Sequence, residues 1–275
     1  MLIADAQVHI WAASTPDRPW PASGRSQPHR PTPFSADHLI AEMDAAGVDR
    51  VVIVPPSWEG DRNDLAIAAC RVHPDRFAVM GRFDPDPANA PRLATWRSQP
   101  GMLGMRFTLR PHHDWLTDGS VEWLWRGAER HGLPVMLSCP GLLPVVDRIA
   151  EKYSGLRLVI DHLALIRTTD TSTFANLPDL LAMAHRPNVA VKASALPCFS
   201  SEPYPYRNLH PYIRQVFDAF GPRRMFWGTD LTRLPCSYRQ AITMFTEELP
   251  FLSASDKEWI MGRGLCEWLG WRLAQ

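Results

Sequence analysis

The 275-residue chain has no charge of either sign to spare. Lys and Arg total 29, and Asp and Glu total 29. With no basic excess to neutralise a phosphate backbone, nucleic acid is not an expected partner. No apolar run reaches the ~18 residues that a membrane span needs, so no membrane partner is expected either. Residues 1–11 lack a basic stretch and meet Asp5 at once, which does not suit a signal peptide. Cysteines are few: Cys70, Cys139, Cys198, Cys236 and Cys266, an odd number with no C-x-x-C pair. That points to free thiols in a reducing cytoplasm. Also missing are G-x-G-x-x-G, a P-loop, H-E-x-x-H and G-x-S-x-G. Dinucleotide binding, a phosphate-cradling loop, a helical zinc protease site and a nucleophile elbow lose their signatures with them.

Proline and tryptophan are plentiful. The 26 prolines and 11 tryptophans stand against an ordinary globular balance of 45% hydrophobic and 21% charged residues. Prolines crowd positions 16–33 and follow short apolar runs, as at Pro55-Pro56, Pro140, Pro197 and Pro235. This suits stiff loops leaving strand ends.

Eight short, near-continuously apolar runs fall at 2–8, 50–54, 77–81, 102–107, 134–138, 156–161, 189–194 and 225–230. Such runs suit strands buried on both faces. Amphipathic stretches separate them at 35–47, 61–72, 89–97, 121–131, 143–153, 174–185, 211–220 and 238–248. Eight strand–helix units predict an α/β fold, a single-domain (β/α)8 TIM barrel over residues 1–275, with extra C-terminal helices at 255–273. The alternative is an open doubly wound sheet, which lacks its glycine fingerprint.

In such a barrel, functional residues stand at the C-terminal ends of strands. Those ends carry Asp5, Gln7 and His9; Ser57 and Trp58; Arg106, Thr108 and Arg110; Ser138 and Cys139; Asp161 and His162; Lys192 and Ser194; and Thr229 and Asp230. Asp230 reads as an N-cap or ion-pair partner, or as a general base aimed into the barrel mouth. Closure of the barrel would bring it near His9. Of Asp161 and His162, alternation along a strand turns one to the mouth and the other to the helices. Gln7 and His9, at i and i+2, face the same way. Two histidines at that spacing would chelate a metal, but glutamine is a poor zinc ligand. Arg106 reads either as the partner of a barrel carboxylate or as a clamp for a substrate carboxylate, with Arg110 and Arg233 adding charge. Lys192 is a candidate Schiff-base lysine. His112-His113 reads as a solvated turn; His29, His38, His73, His131 and His185 read as structural.

Taken together, Asp5-Ala-Gln7-Val-His9-Ile-Trp11, Gly104-Met-Arg106-Phe, Leu158-Val-Ile-Asp161-His162, Val191-Lys192-Ala-Ser194 and Phe226-Trp-Gly-Thr-Asp230 resemble the amidohydrolase superfamily, amidohydrolase 2 branch. Within it the chain is most similar to the 2-pyrone-4,6-dicarboxylate lactonase group. The resemblance runs from the first strand to the eighth and implies a distorted barrel. Metal sites of that family use H-x-H on strand 1, Lys or Glu on strand 4, His on strands 5 and 6, and Asp on strand 8. Only His9, His162 and Asp230 match. The lactonase group also lacks the bridging residue and the strand 5 His, and works without metal; Gln7 departs even from its H-x-H.

The resemblance implies a metal-independent lactonase acting on a small carboxylated lactone. Asp230 would deprotonate water. His9 and His162, with the Gln7 amide, would hydrogen-bond the scissile carbonyl. Arg106 and Arg110 would hold the substrate, and Ser57, Trp11, Trp58, Tyr204 and Tyr206 would line its pocket. No cofactor is expected. The expected partner is a small anionic substrate, with a homodimer open. The alternatives are a zinc or manganese decarboxylase holding its metal on His9, His162 and Asp230, and a non-catalytic barrel that binds a metabolite.

Overall fold

All eight apolar runs form strands, and the strands lie in chain order in one parallel sheet. The computed structural model describes residues 1–21, 27–109 and 114–272. The strands are β1 (Ala4–Val8), β2 (Arg50–Ile53), β3 (Phe77–Gly81), β4 (Met102–Thr108), β5 (Val135–Ser138), β6 (Leu158–Ile160), β7 (Val189–Ser194) and β8 (Met225–Gly228). Every neighbouring pair from β1 to β8 is parallel. Among the described residues, these strands are linked or followed by the α-helices α1 (Ala36–Ala46), α2 (Asp64–Val72), α3 (Glu122–Arg130), α4 (Leu143–Lys152), α5 (Leu177–Ala182), α6 (His210–Phe220) and α7 (Tyr238–Thr246). The result is a (β/α)8 barrel.

One connection departs from expectation. The stretch between β3 and β4 is a 3-10 helix, Pro87–Ser98, rather than an α-helix. Pro91 lies inside it and has no N–H for an α-helical bond. The start and stop signals of α1 act as expected: the Ser35 hydroxyl accepts from the His38 amide, and Gly47 closes the helix at φ 79°.

β8 meets β1 to close the barrel. The Asp230 amide donates to the Gln7 carbonyl at 2.9 Å. Gly228 permits the approach, because a Cβ there would lie 3.1 Å from Ala6 Cβ and 3.2 Å from Asp5 Oδ1. The buried Asp5 carboxylate ties the seam. Its Oδ1 accepts from the Gln7 and Thr229 amides at 3.0 and 2.9 Å, and its Oδ2 accepts from the Tyr238 hydroxyl of α7 at 2.8 Å and from the Thr229 hydroxyl. Burial lifts Asp5 to about 6 despite these bonds.

Two apolar layers follow from strand alternation. Ala4, Ala6, Val52, Val54, Ala78, Met80, Met136, Val159, Ala190 and Phe226 fill the barrel floor. Val8, Val51, Ile53, Val79, Val135, Val191 and Trp227 pack outward against the helices. The C-terminal segment runs through α8 (Ala254–Glu258), a π-helical turn (Trp259–Arg263) and α9 (Gly264–Leu269). Leu265, Leu269 and Trp271 join the floor cluster, so this segment plugs the barrel end opposite the mouth. Residue 273, the last of the stretch read as extra helix, lies outside the described residues. Among the described residues no helix is long and apolar enough to cross a membrane.

Candidate active site

The mouth of the barrel holds a pocket of about 140 Å³, room for one small molecule. Gln7, His9, Ser57, Trp58, Arg106, Thr108, Ser138, Asp161, His162, Asp230 and Arg233 line it, with His29 and Arg167.

Local irregularities aim the polar groups. The register of β1 against β2 shifts between Asp5 and Val8. Ala4 and Ala6 face the floor, yet Val8 packs with the outer layer. The irregularity turns Gln7 and His9 into the barrel, as bulges near active sites do. His162 and Asp230 follow β6 and β8 with φ of 50° and 52°. Neither is glycine, so both hold strained left-handed conformations, a strain that recurs where side chains are fixed for function. Strand alternation therefore stops at Asp161. Both Asp161 and His162 face the barrel interior, contrary to the expectation that one would face the helices.

The network begins at the cations. Arg106 Nε donates to Asp161 Oδ2 at 3.0 Å, and Arg106 Nη1 donates to Thr108 Oγ1 at 2.6 Å. Lys192 Nζ lies 2.7 Å from Asp161 Oδ1 and donates to Gln7 Oε1 at 2.9 Å. Gln7 Nε2 then stands 3.2 Å from His162 Nε2 and 3.5 Å from His9 Nε2. His9 Nδ1 is 2.6 Å from the Val54 carbonyl, and His162 Nδ1 is 2.8 Å from Ser194 Oγ. Asp230 completes the set. Its Oδ1 lies 3.3 Å from His9 Nε2, and its Oδ2 lies 3.9 Å from His162 Nε2 and 3.1 Å from Arg233 Nη1.

A carbonyl only accepts, so His9 Nδ1 carries the proton given to Val54. The neutral His9 ring then turns the Nε2 lone pair to Asp230. An amide N–H2 facing His162 Nε2 likewise places the His162 proton on Nδ1. With these tautomers the two Nε2 atoms face the pocket as acceptors, whereas the sequence expectation gives both rings a donor role toward a substrate carbonyl. Burial keeps both neutral, pushing His9 down and His162 down to about 4, against the pull of Asp230.

Burial also pushes Asp161 upward, but Lys192 and Arg106 outweigh it and hold the carboxyl at about 2. Burial would likewise raise Asp230; the positive charge that His9 and His162 take on once protonated in acid, together with that of Arg233, overcomes it and holds the carboxyl below the usual range. Even so, Asp230 Oδ1 is buried with no hydrogen-bond partner. An acceptor that full of charge and that empty of donors is set for a proton arriving from the pocket.

Other expectations fare differently. Arg106 reaches the pocket, but its Nε and Nη1 are spent on Asp161 and Thr108; the geometry is that of the buried ion pair rather than of a bidentate clamp left open. Ser57 and Trp58 line the pocket, and the Trp58 indole N–H is buried without a partner. Trp11 stands behind them: its ring centroid is 5.7 Å from that of Trp58, and its N–H donates to the Thr32 carbonyl. Tyr204 and Tyr206 do not line the pocket. The Tyr204 hydroxyl donates to Thr243 of α7 at 2.9 Å, and Tyr206 packs in the outer core. Lys192 is wholly buried behind Gln7, which leaves a Schiff base no approach. Arg110, His112 and His113 lie outside the described residues.

His29, which the sequence pattern marks as structural, lines the pocket instead, and Arg167 joins it with no sequence signal singling it out. His29 comes from the loop between β1 and α1, donates or accepts at Thr232 Oγ1 across 2.8 Å, and sits edge-on to His9. Desolvation at the pocket wall brings it down to about 4, although one edge of the residue is exposed to solvent. The proline run at 16–33 marked that loop as one leaving a strand end, and a histidine in it could have been placed at the mouth by that rule. Arg167 follows β6 in the same manner.

The His9–His162–Asp230 set does not fit a metal ion as it stands. The Gln7 amide nitrogen stands between the two rings, 3.2 Å from His162 Nε2 and 3.5 Å from His9 Nε2, and among the described residues no group of three His, Cys, Asp or Glu is disposed to hold one.

Known proteins share this framework. A model of the amidohydrolase family matches residues 4–263. The L-fucono-1,5-lactonase of Burkholderia ambifaria is 30% identical over 233 residues, covering 82% of this chain and 79% of that protein. The 4-sulfomuconolactone hydrolase of Hydrogenophaga intermedia is 25% identical over 237 residues, covering 82% and 73%. Among solved structures, a probable 2-pyrone-4,6-dicarboxylic acid hydrolase from Acinetobacter baumannii superposes with a TM-score of 0.81 at 19% identity, covering 98% of this chain and 100% of that one.

Proposed function

The chain belongs to the amidohydrolase family, and from that premise we propose that it hydrolyses a small anionic lactone without a metal ion, using Asp230 as the base. The observation that carries this is the unpartnered, buried Oδ1 of Asp230, 3.3 Å from the acceptor face of His9. A water entering there finds two acceptors and no donor. Asp230 takes one proton as the water oxygen attacks the lactone carbonyl carbon, and His9 Nε2 steadies the other. The ring C–O bond then breaks, and the departing alkoxide recovers the proton. Ring closure of the hydroxy acid runs through the same groups in reverse.

Negative charge grows on the carbonyl oxygen in the transition state, and donors must meet it. The pocket supplies the Trp58 N–H and the guanidinium charges of Arg106 and Arg233. Arg167 and Arg233 at the mouth favour a substrate that carries an anionic group of its own. The two curated relatives bear lactone-hydrolysing names, which supports the ester class. The proposal is tested by a pH-stat screen of neutral, mono- and dicarboxylated lactones. Ring opening of at least one carboxylated lactone, with its neutral ester turned over more slowly, is expected. Failure across the whole set, with the protein folded, would remove the lactonase reading.

A further inference from the structure

Lys192 belongs to no step of that reaction, yet it is buried at the centre of the barrel with full charge contacts. Its ammonium lies 2.7 Å from Asp161 and 2.9 Å from Gln7 Oε1, and it has no solvent exposure. An ammonium only donates, so the oxygen of the Gln7 amide, not its nitrogen, must face it. The N–H2 is thereby turned to His162 and His9, at 3.2 and 3.5 Å. A flipped amide would set N–H2 against the ammonium and oxygen against two imidazole lone pairs. Both contacts repel in a buried site, where polar mismatches are most costly.

We propose that Lys192 is a positioning residue that locks the Gln7 amide, so that the barrel holds an N–H2 donor where a divalent cation would otherwise take the same two imidazole lone pairs. The inference rests on the metal-free reading above and explains how the chain enforces it. Two consequences follow from the lock alone. In the resting protein at neutral pH, His9 and His162 are both Nδ1–H tautomers, held by Val54 and Ser194 on one side and by Gln7 on the other. Without the ammonium, the amide is free to turn its oxygen to the site. It then becomes a ligand rather than a donor, and the unchanged residues Gln7, His9, His162 and Asp230 gain affinity for a divalent ion.

The test is a pair of measurements on the whole chain. Long-range ¹⁵N NMR of the imidazoles reads the tautomers in the wild type, and zinc titration reads the affinity of the wild type, Lys192→Met and Lys192→Gln. Nδ1–H tautomers at both rings are expected, with zinc binding at least ~10-fold tighter in the lysine variants, the scale on which groups behind metal ligands act. An Nε2–H tautomer at His162, or zinc affinity unchanged in folded lysine variants, overturns the lock. The wild-type tautomers decide the matter even if the variants do not fold. Stoichiometric zinc in the wild type that turnover requires defeats the functional reading instead. A protein with both Nδ1–H tautomers that opens no lactone keeps the lock and loses the function.

Discussion

Asp230 Oδ1 and His9 Nε2 face each other across 3.3 Å, both as acceptors when His9 is neutral. Two acceptors at that range leave a place for one donor. Closure of β8 onto β1 brings them together, with Gly228 allowing the approach and the Asp230–Gln7 backbone bond fixing it.

Replacing Asp230 with asparagine retains the shape and removes the basicity. Asp230→Asn is expected to lower kcat at least ~10²-fold, the lower end for general-base catalysis, with the fold intact. His9→Asn and His162→Asn should cost less. If His162→Asn abolished turnover while Asp230→Asn kept most of it, the base would be His162.

Arg106 is the partner of a buried carboxylate before it is anything else. Arg106→Met leaves Asp161 paired with Lys192 and removes one charge-assisted hydrogen bond, which should destabilise the protein by about 2 kcal/mol. Losses of turnover should be similar for a carboxylated lactone and its neutral ester. Arg167→Met should raise KM for the acid more than for the ester. An Arg106→Met protein of wild-type stability that discriminates acid from ester would restore Arg106 as the substrate clamp.

Acid should weaken the protein in a defined window. The half-buried His162 is held at about 4 in the fold against an ordinary 6.5, and burial depresses His9 as well. Between those values the unfolded chain binds protons that the folded chain refuses, so stability falls as pH drops through the window. Asp161, held at about 2 against 3.8, adds a further loss below 3.8. Asp5, raised to about 6, works the other way between 6 and 3.8, because the folded chain takes that proton first. The two depressed histidines, His9 and His162, outweigh one raised carboxyl. The melting temperature should decline from pH 6.5 toward 4, and kcat should stay level until His162 protonates near 4. An acid limb centred near 6.5 would mean that the imidazoles are not desolvated.

The Trp58 N–H offers a sharper probe of the carbonyl's surroundings. Trp58→Phe removes a donor that has no partner in the protein, so stability should hold. A fall in kcat of up to ~10², with KM little changed, is the expected signature of a donor used in the transition state. An effect on KM alone would reduce Trp58 to a wall of the pocket.

The barrel was legible from the sequence because eight apolar runs separated by amphipathic stretches leave few other ways to bury them. Pro91 is visible in the sequence, and its missing N–H accounts for the 3-10 helix between β3 and β4. Strand-end position singled out Asp230, His9, His162 and Gln7, which the fold brings together. What position did not reveal is direction. The β1 irregularity that aims Gln7, and the left-handed turn that lets Asp161 and His162 both face inward, break the alternation on which side-chain direction was reasoned. Tyr204 and Trp11 failed as pocket walls for a similar reason: an aromatic beside a strand end has several cores to choose from, and Thr243 and Thr32 claim their polar ends. The lysine–glutamine contact spans 185 positions, a separation that no local pattern records.

The most direct measurement is turnover of a carboxylated lactone by chelator-treated wild-type protein whose metal content is measured in the same sample. A kcat unchanged by removal of metal, and lost in Asp230→Asn, is the predicted result. Activity that disappears with the metal and returns on adding zinc or manganese would contradict it.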